Sequence, residues 1–280
     1  ADGRLTYRIT PDSGTFADIT ARWEGRGGEI RPGVGGGVFL AGPAGTVAPE
    51  QTESLGTAIQ DDTVVSRWRL SAGDIAADVT FTYRLWGKSL VIDVVVPGGT
   101  VAEVRHGVVE GLVRPRLVTL PYFTYGAAVR PAIAVAGDPA NPLFVAEHLD
   151  WNRSNGSWLW ADNAVTDESV ACNGGVRYIP KTDGRRNDCF ERLFITVSPR
   201  FEEVLPTIPN PVSPWKHVAG TRLWRAHGAG VRDSDIAMWT RVQRHGMTEV
   251  VVTDHETGWR DGGESFTFRT RAAPGKGGDQ

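Results

Sequence analysis

The sequence contains little cysteine, only two residues in 280. Cys172 and Cys189 have neither CxxC spacing nor a histidine pair nearby, which argues against a zinc site. They lie close enough along the chain to close a loop as a disulfide, but two free thiols are also compatible with the sequence, because cysteine count alone does not fix the redox compartment. We therefore expect no metal ion and leave the state of both thiols open.

Excess charge and long apolar runs are also absent. The 30 basic and 33 acidic side chains leave a formal net charge of −3. Phosphate binding needs a clustered basic excess, so this balance argues against nucleic acid or an anionic membrane surface as a partner. No uncharged run is both apolar and as long as the roughly 20 residues of a membrane-spanning helix. We therefore expect no membrane span.

Leader and cofactor motifs are missing as well. No signal peptide is visible, yet the chain opens at Ala1 rather than at methionine, which predicts a removed leader or a piece of a longer protein and favours a secreted or periplasmic location. The glycine run at 33–37 does not match GxGxxG, the Gly-Lys pair at 275–276 lacks the upstream glycine of a P-loop, and His255 has no second histidine at HExxH spacing. We expect no cofactor.

The chain does show alternation of apolar and polar residues with period two, from Leu5 to about Val197, which is typical of β-strands. The runs 79–85 and 90–96 surround a short glycine turn and predict a β-hairpin. Further strands are predicted at residues 15–23, 65–70, 101–109, 127–136, 143–148, 157–160, 176–179 and 192–197. Many short strands separated by turns indicate a mainly β fold, a large antiparallel β-sandwich over residues 1–205.

The pattern changes after this region. Ser198 and Pro199 predict a capped short helix over residues 200–205, which Pro206 ends. The prolines that follow predict an extended linker over residues 206–220. We therefore expect a domain boundary there and a second domain over residues 221–280.

The second domain contains the strongest helix signal. Asp233 or Ser234 can cap the helix, and Gly246 stands at the position of a C-terminal cap. The apolar residues on one face are Ile236, Trp239 and Val242. Residues 250–253 are continuously apolar or β-branched, as in a parallel strand buried on both faces. This order predicts the start of an α/β layer. Because one buried parallel strand cannot stand alone, we expect the chain to stop inside its second domain.

The densest polar cluster follows that strand. Ligands of α/β sheets and (β/α)8 barrels bind at the carboxyl ends of the strands. Asp254 can accept a hydrogen bond from a sugar hydroxyl, His255 can donate one, and Trp259 can supply an apolar platform. With Arg260 and Asp261 in the same loop, these residues form the predicted substrate-binding site; a solvated loop with balanced charges is the alternative.

A secondary candidate site lies in the sandwich. Tyr122 and Tyr125 form one aromatic group, and Asp150, Trp151 and Asn152 combine an aromatic ring with hydrogen-bonding side chains. Sugars bind through that mixture of apolar faces and polar groups. Sandwiches also bury tyrosine and tryptophan routinely, and a role at a domain interface is the alternative.

Three stretches together resemble a known family. They are residues 178–187 (YIPKTDGRRN), residues 210–214 (NPVSP), and residues 250–279, which include TDHE at 253–256, GGESFTFR at 262–269 and APGKGGD at 273–279. The arrangement resembles bacterial glycoside hydrolases related to families 101 and 129, the α-N-acetylgalactosaminidase group. That group carries a galactose-mutarotase-like β-supersandwich ahead of a (β/α)8 catalytic barrel.

The resemblance implies that residues 221–280 hold the first helix and strand of a truncated (β/α)8 barrel. It also implies a retaining α-glycosidase that acts on an oligosaccharide or glycan. Substrate contacts are then expected from Asp254 and His255, with Trp259, Arg260 and Asp261 in the loop after the strand. Its two catalytic carboxylates are expected on later barrel strands, beyond Gln280, so no catalytic residue is assigned in this chain. Asp254 and Glu256 are not expected to be that pair. Two other interpretations stay open: a non-catalytic, lectin-like carbohydrate-binding sandwich, and the accessory sandwich of a polysaccharide lyase.

Overall fold

The computed structural model describes residues 4–120, 132–172, 174–206, 212–227, 232–254 and 261–266. The chain divides into two compact units. The first unit comprises Ala1–Pro206 together with Gly262–Arg269, and the second comprises Thr207–Asp261 together with Thr270–Gln280.

The first unit is mainly β. In chain order, its described strands are β1 (Leu5–Ile9), β2 (Ile19–Trp23), β3 (Arg26–Val34), β4 (Gly37–Gly42), β5 (Gly45–Val47), β6 (Gln51–Gln60), β7 (Thr63–Ala72), β8 (Ile75–Trp86), β9 (Ser89–Val96), β10 (Val101–Arg105), β11 (Val108–Glu110), β12 (Arg116–Thr119), β13 (Ala132–Ala136), β14 (Leu143–Leu149), β15 (Trp158–Trp160), β16 (Asn163–Val165), β17 (Ser169–Cys172), β18 (Gly175–Arg177) and β19 (Cys189–Ser198). A one-turn helix, α1 (Phe201–Val204), follows them.

These strands form three antiparallel sheets. The largest has the order β12-β13-β14-β19-β9-β8-β7-β6, the second β1-β2-β3-β11-β17-β16, and the third β15-β18-β10-β4-β5. The antiparallel, mainly β architecture predicted from the alternation is confirmed, including the hairpin of β8 and β9, whose register pairs Trp86 with Ser89.

Two apolar cores lie between the eight-stranded sheet and the two smaller sheets. In one core Trp68, Phe81 and Ile92 of the large sheet pack with Leu40 and Val104 of the five-stranded sheet. In the other, side chains of β13 and β14 pack with the six-stranded sheet, whose contribution is Ala21, Trp23, Ile30, Val109, Val170 and Cys172. The period-two alternation therefore has a simple cause, because each sheet has an inner face that is removed from water.

The sequence pattern misplaced some strand boundaries. The strand predicted over residues 15–23 is interrupted, because a 3-10 turn occupies Phe16–Asp18. Asp18 is buried and accepts hydrogen bonds from the backbone N–H groups of Ser13 and Gly14, which favours the turn. The strand predicted over 101–109 is two strands in different sheets, and the chain crosses between them at Gly107, whose φ is +95°.

The two thiols are free, although the sequence left a disulfide open. Both Cys172 and Cys189 are buried, and they lie on β17 and β19, which belong to different sheets. Burial raises the pKa of each thiol well above its ordinary value.

The second unit contains α2 (Lys216–Thr221), β20 (Leu223–His227), α3 (Arg232–Arg244) and β21 (Val250–Asp254). The helix predicted to begin at Asp233 or Ser234 begins at Arg232, so Asp233 lies in its first turn, where a negative charge is favourable. Gly246 follows its end at a φ of +81°. Ile236, predicted to share a covered face, is 59% exposed. The described residues show one β-α-β unit, and the closed barrel stays a prediction.

Candidate functional site

The strand end that carries Asp254 lies beside a second strand end. β20 and β21 pair in parallel, and their register runs from Leu223 opposite Val250 to His227 opposite Asp254. The carboxyl ends of the two strands therefore lie at one edge, which is where ligands of α/β folds bind. The sequence interpretation did not single out His227. The sequence carried one signal for a second strand end, because the parallel strand predicted at 250–253 must pair with another strand.

The rest of the predicted substrate loop is only partly visible. His255, Trp259 and Arg260 lie outside the described residues. Asp261 is described and buried, with 1% of its surface exposed. The assignment of these residues to a substrate site stays a prediction.

The secondary candidate in the sandwich is divided in the same way. Tyr122 and Tyr125 lie outside the described residues. Asp150 is buried, and its carboxylate accepts a hydrogen bond from the backbone N–H of Asn152 at 3.2 Å, so it closes a turn after β14. Trp151 is half-buried and Asn152 is exposed. Asp150 therefore has a local structural role, because an Asp side chain that accepts a hydrogen bond from the backbone two residues on stabilises a turn.

The structure brings together two of the stretches that carry the family resemblance. We define the loop cluster as residues 150–157, 178–188 and 262–266. The hydroxyl of Ser157 donates to the carbonyl of Gly263 at 2.7 Å, and the side-chain amide of Asn187 donates to the same carbonyl at 3.3 Å. The hydroxyl of Ser265 donates to the carbonyl of Ser154 at 2.8 Å. Segment 262–266 is thus part of the sandwich unit.

Close backbone approach explains the glycine in this segment. A Cβ atom on Gly263 would lie 2.4 Å from the backbone nitrogen of Lys181 and 2.5 Å from the carbonyl carbon of Pro180. No real Cβ contact is that short, so any other residue would displace the segment. The glycine is required by packing, not by a turn.

A buried carboxyl group, Glu191 on β19, lies at the centre of the loop cluster. Its Oε1 atom accepts hydrogen bonds from the hydroxyls of Ser154 at 2.8 Å and Tyr178 at 2.5 Å. Burial raises the pKa of Glu191 to about 8, although these hydrogen bonds act to lower it. Such a group is mostly protonated at neutral pH. Its side chain is fully buried, and its bonds to Ser154 and Tyr178 hold the loops of this cluster together.

A second polar surface lies on the five-stranded sheet. We define the aromatic–arginine face as the outward side chains Phe39, Glu103, Arg105, Trp158, Trp160 and Arg177. Its members form two rows across the strands. In one row Trp158 lies opposite Arg177, Arg177 opposite Glu103, and Glu103 opposite Phe39. Residues directly opposite one another share a face of the sheet.

The charged side chains of this face contact one another and its aromatic rings. Glu103 is buried, and it accepts hydrogen bonds from Nε of Arg105 at 2.7 Å and from Nε of Arg177 at 3.0 Å. The guanidinium carbon of Arg105 lies 4.0 Å from the ring centre of Phe39, and that of Arg177 lies 5.1 Å from the ring centre of Trp160. The sequence interpretation predicted the strand at 157–160 but missed this face; the alternation Trp158-Leu159-Trp160 was the signal.

The described residues contain no group of three or more histidine, cysteine, aspartate or glutamate side chains that could hold a metal ion. No helix among them has both the length and the apolar character needed to cross a membrane.

Comparisons with known proteins give little further information. No family model matches the chain, and no curated protein matches it. Among solved structures, a chain named as a polysaccharide lyase matches with a TM-score of 0.29 and 10% sequence identity. The match covers 72% of this chain and 33% of the lyase chain. The present chain therefore corresponds to about a third of that protein's length.

Proposed function

We propose that this chain supplies the sandwich and the first barrel elements of a carbohydrate-active enzyme, a retaining α-glycosidase of the α-N-acetylgalactosaminidase type. The observation that carries the proposal is the parallel pairing of β20 and β21 with α3 between them. A strand, a helix and a parallel strand form the repeating unit of a (β/α)8 barrel.

The same pairing argues against the lectin-like alternative. A binding module made of one sandwich would use residues 250–254 as another antiparallel strand. Instead, within the part of the chain that the structure describes, the strand pairs in parallel with Leu223–His227 in a separate two-stranded sheet. The proposal expects further parallel strands beside this pair, because two parallel strands alone do not make a stable sheet.

In this proposal the carboxyl end of β21 contacts the glycan. Asp254 accepts a hydrogen bond from a sugar hydroxyl, and His255 donates a hydrogen bond to another. Trp259 stacks on a sugar ring, with Arg260 and Asp261 in the same loop. A retaining mechanism needs two carboxyl groups about 5–5.5 Å apart, one as nucleophile and one as acid/base. The resemblance assigns these to later barrel strands. The named residues therefore bind and orient the substrate.

The test uses the protein encoded by the whole reading frame that contains these 280 residues. We expect it to release nitrophenol from a nitrophenyl α-N-acetylgalactosaminide or α-galactoside. The variant Asp254→Asn removes one charge-assisted hydrogen bond, which should lower kcat/KM about 10- to 150-fold with little change in Tm. Asp62→Asn, in an exposed turn of the sandwich, is the matched control.

Three outcomes would overturn the proposal. Formation of an unsaturated sugar without hydrolysis would indicate a lyase. Glycan binding without any turnover would indicate a binding module. An unchanged kcat/KM in Asp254→Asn would remove Asp254 from the substrate site.

A further inference from the structure

We propose that the aromatic–arginine face is a glycan-binding surface for an anionic sugar. The sugar ring would stack on Trp158, and its carboxylate or sulfate group would bind the guanidinium groups of Arg177 and Arg105. This surface lies wholly on the sandwich unit, so the inference goes beyond the proposed barrel function and does not depend on it.

The first argument is the exposure of the rings. Trp158 is 49% exposed although it lies on a strand whose next residue, Leu159, packs against the core. An exposed indole on a sheet offers an apolar platform, and the C–H face of a sugar ring can stack on it. Trp160 stands two residues further along the same face and is half-buried under the arginines.

The second argument is the hydrogen-bonding capacity of the arginines. Arg105 and Arg177 each donate to Glu103 through Nε. Among the described residues, no other hydrogen bond engages either guanidinium group, so the paired Nη edges of both remain free. A planar guanidinium edge matches the two oxygens of a carboxylate or sulfate group.

The third argument is charge. Two arginines and one glutamate leave one net positive charge on the face. Glu103 is satisfied by the protein itself, because both arginines and the hydroxyl of Thr46 point to its carboxylate. The charge left over therefore favours an anion, and a neutral glycan would leave the free guanidinium edges without a matching partner.

The fourth argument is preorganisation. The two guanidinium groups are fixed between Glu103 and the rings of Phe39 and Trp160. The indole of Trp160 rests on Gly174, where a Cβ atom would lie 2.5 Å from the ring. A surface whose long side chains are already ordered loses less conformational entropy when a ligand binds.

The experiment measures binding to the 280-residue chain by titration calorimetry. The probes are an oligogalacturonate, a sulfated galacto-oligosaccharide and a neutral galacto-oligosaccharide of the same length; the first two distinguish a carboxylate from a sulfate ligand. We expect at least one anionic probe to bind, with an affinity that falls as salt is added, and the neutral probe to bind at least tenfold more weakly.

The variants assign that binding to the face. Trp158→Ala and Arg177→Gln should each raise Kd at least tenfold. Arg177→Lys should raise Kd less than Arg177→Gln does but still above that of the unmodified chain, because lysine keeps the positive charge and lacks the planar guanidinium group that binds two oxygens at once. The matched controls are Trp215→Ala, at an exposed tryptophan of the second unit, and Arg69→Gln, in an exposed ion pair with Asp78. Both should bind as the unmodified chain does.

Three results would overturn the inference. They are no binding of either anionic probe, equal binding of the neutral probe, and unchanged Kd in Trp158→Ala and Arg177→Gln. Because Trp158 is half-exposed, its truncation should leave Tm within a few degrees, and a variant with normal Tm and normal binding would decide against the face. None of these results bears on hydrolysis by the barrel, so the two proposals fail separately.

Discussion

The phenolic oxygen of Tyr178 lies 2.5 Å from Oε1 of Glu191, and both side chains are buried. Tyr178 follows β18 of the five-stranded sheet, whereas Glu191 lies on β19 of the eight-stranded sheet. The bond therefore joins two sheets of the sandwich across the core. Ser154 adds a bond to the same oxygen, so one carboxyl group ties a loop to both sheets.

The first prediction concerns the pH dependence of stability at Glu191. Its pKa is raised from 4.5 to about 8 by burial. Below pH 4.5 Glu191 is protonated in both the folded and the unfolded chain, and its contribution to the free energy of unfolding is fully present. Between about pH 4.5 and 8 only the folded chain keeps the proton, so this contribution is lost as pH rises.

Glu191→Gln tests that prediction, because a neutral amide of the same shape cannot titrate. We expect its free energy of unfolding to rise relative to the unmodified chain between pH 5 and pH 8, by a few kcal/mol at most, on the order set by the shift. Denaturant titrations at several pH values measure the difference. Glu147, whose pKa burial also raises, contributes equally to both proteins. A pH-independent difference would show that Glu191 is ionised in the fold.

The second prediction has the opposite sign and concerns His148. Burial lowers the pKa of this residue from 6.5 to about 4, and its ring lies 3.4 Å from the carbonyl of Val204 in α1. Between pH 6.5 and 4 the unfolded chain binds a proton at this residue, whereas the folded chain does not. The contribution of the neutral ring to the free energy of unfolding is therefore fully present above pH 6.5 and is lost as pH falls to 4.

His148→Gln keeps a donor for the Val204 carbonyl and removes the titration. As pH falls from 6.5 to 4, the free energy of unfolding should fall in both proteins. The fall should be smaller in the variant, by up to about 3 kcal/mol. Urea unfolding at both pH values gives the comparison, and His245→Gln, at an exposed residue, is the control. Equal losses in the variant and the unmodified chain would mean that His148 is charged in the fold.

The sequence predicted the sheet fold well, whereas contacts between distant segments could not be predicted from it, for a physical reason. Alternation along a strand is a local signal, so the hairpin of β8 and β9 could be found from residues 79–96 alone. The bonds of Ser157 and Asn187 to Gly263 join residues far apart in the chain, and no local pattern encodes them.

The barrel-like segment shows the same limit. The apolar run at 250–253 predicted a parallel strand, and β21 does pair in parallel with β20. Its partner β20 has no such run, so the pairing of His227 with Asp254 appears only in the structure.

The third prediction concerns the two cysteines. Burial raises the pKa of both thiols, and neither is accessible in the fold. Cys172 and Cys189 should therefore resist alkylation by iodoacetamide in the native chain and react fully after denaturation, because only the thiolate is nucleophilic. Mass spectrometry counts the modified thiols. A Tm that drops when reductant is added would show instead that a disulfide stabilises the protein.

The last prediction concerns the docking of segment 262–266 on the sandwich. Gly263 is buried, and a Cβ atom there would meet three backbone atoms of residues 179–181 at 2.4–2.6 Å. Gly263→Ala should therefore lower the free energy of unfolding by about 1–3 kcal/mol. Gly262→Ala is a closely matched control, since a Cβ atom at Gly262 has nothing within 4 Å, and it should change stability by less than about 0.5 kcal/mol. Denaturant unfolding of both variants, with hydrogen exchange at the amide of Phe266, measures the effect. This amide donates to the carbonyl of Gly156 at 3.0 Å, so its protection reports the docked segment directly. Equal stability and equal protection in the two variants would show that the segment does not lie against the sandwich in solution.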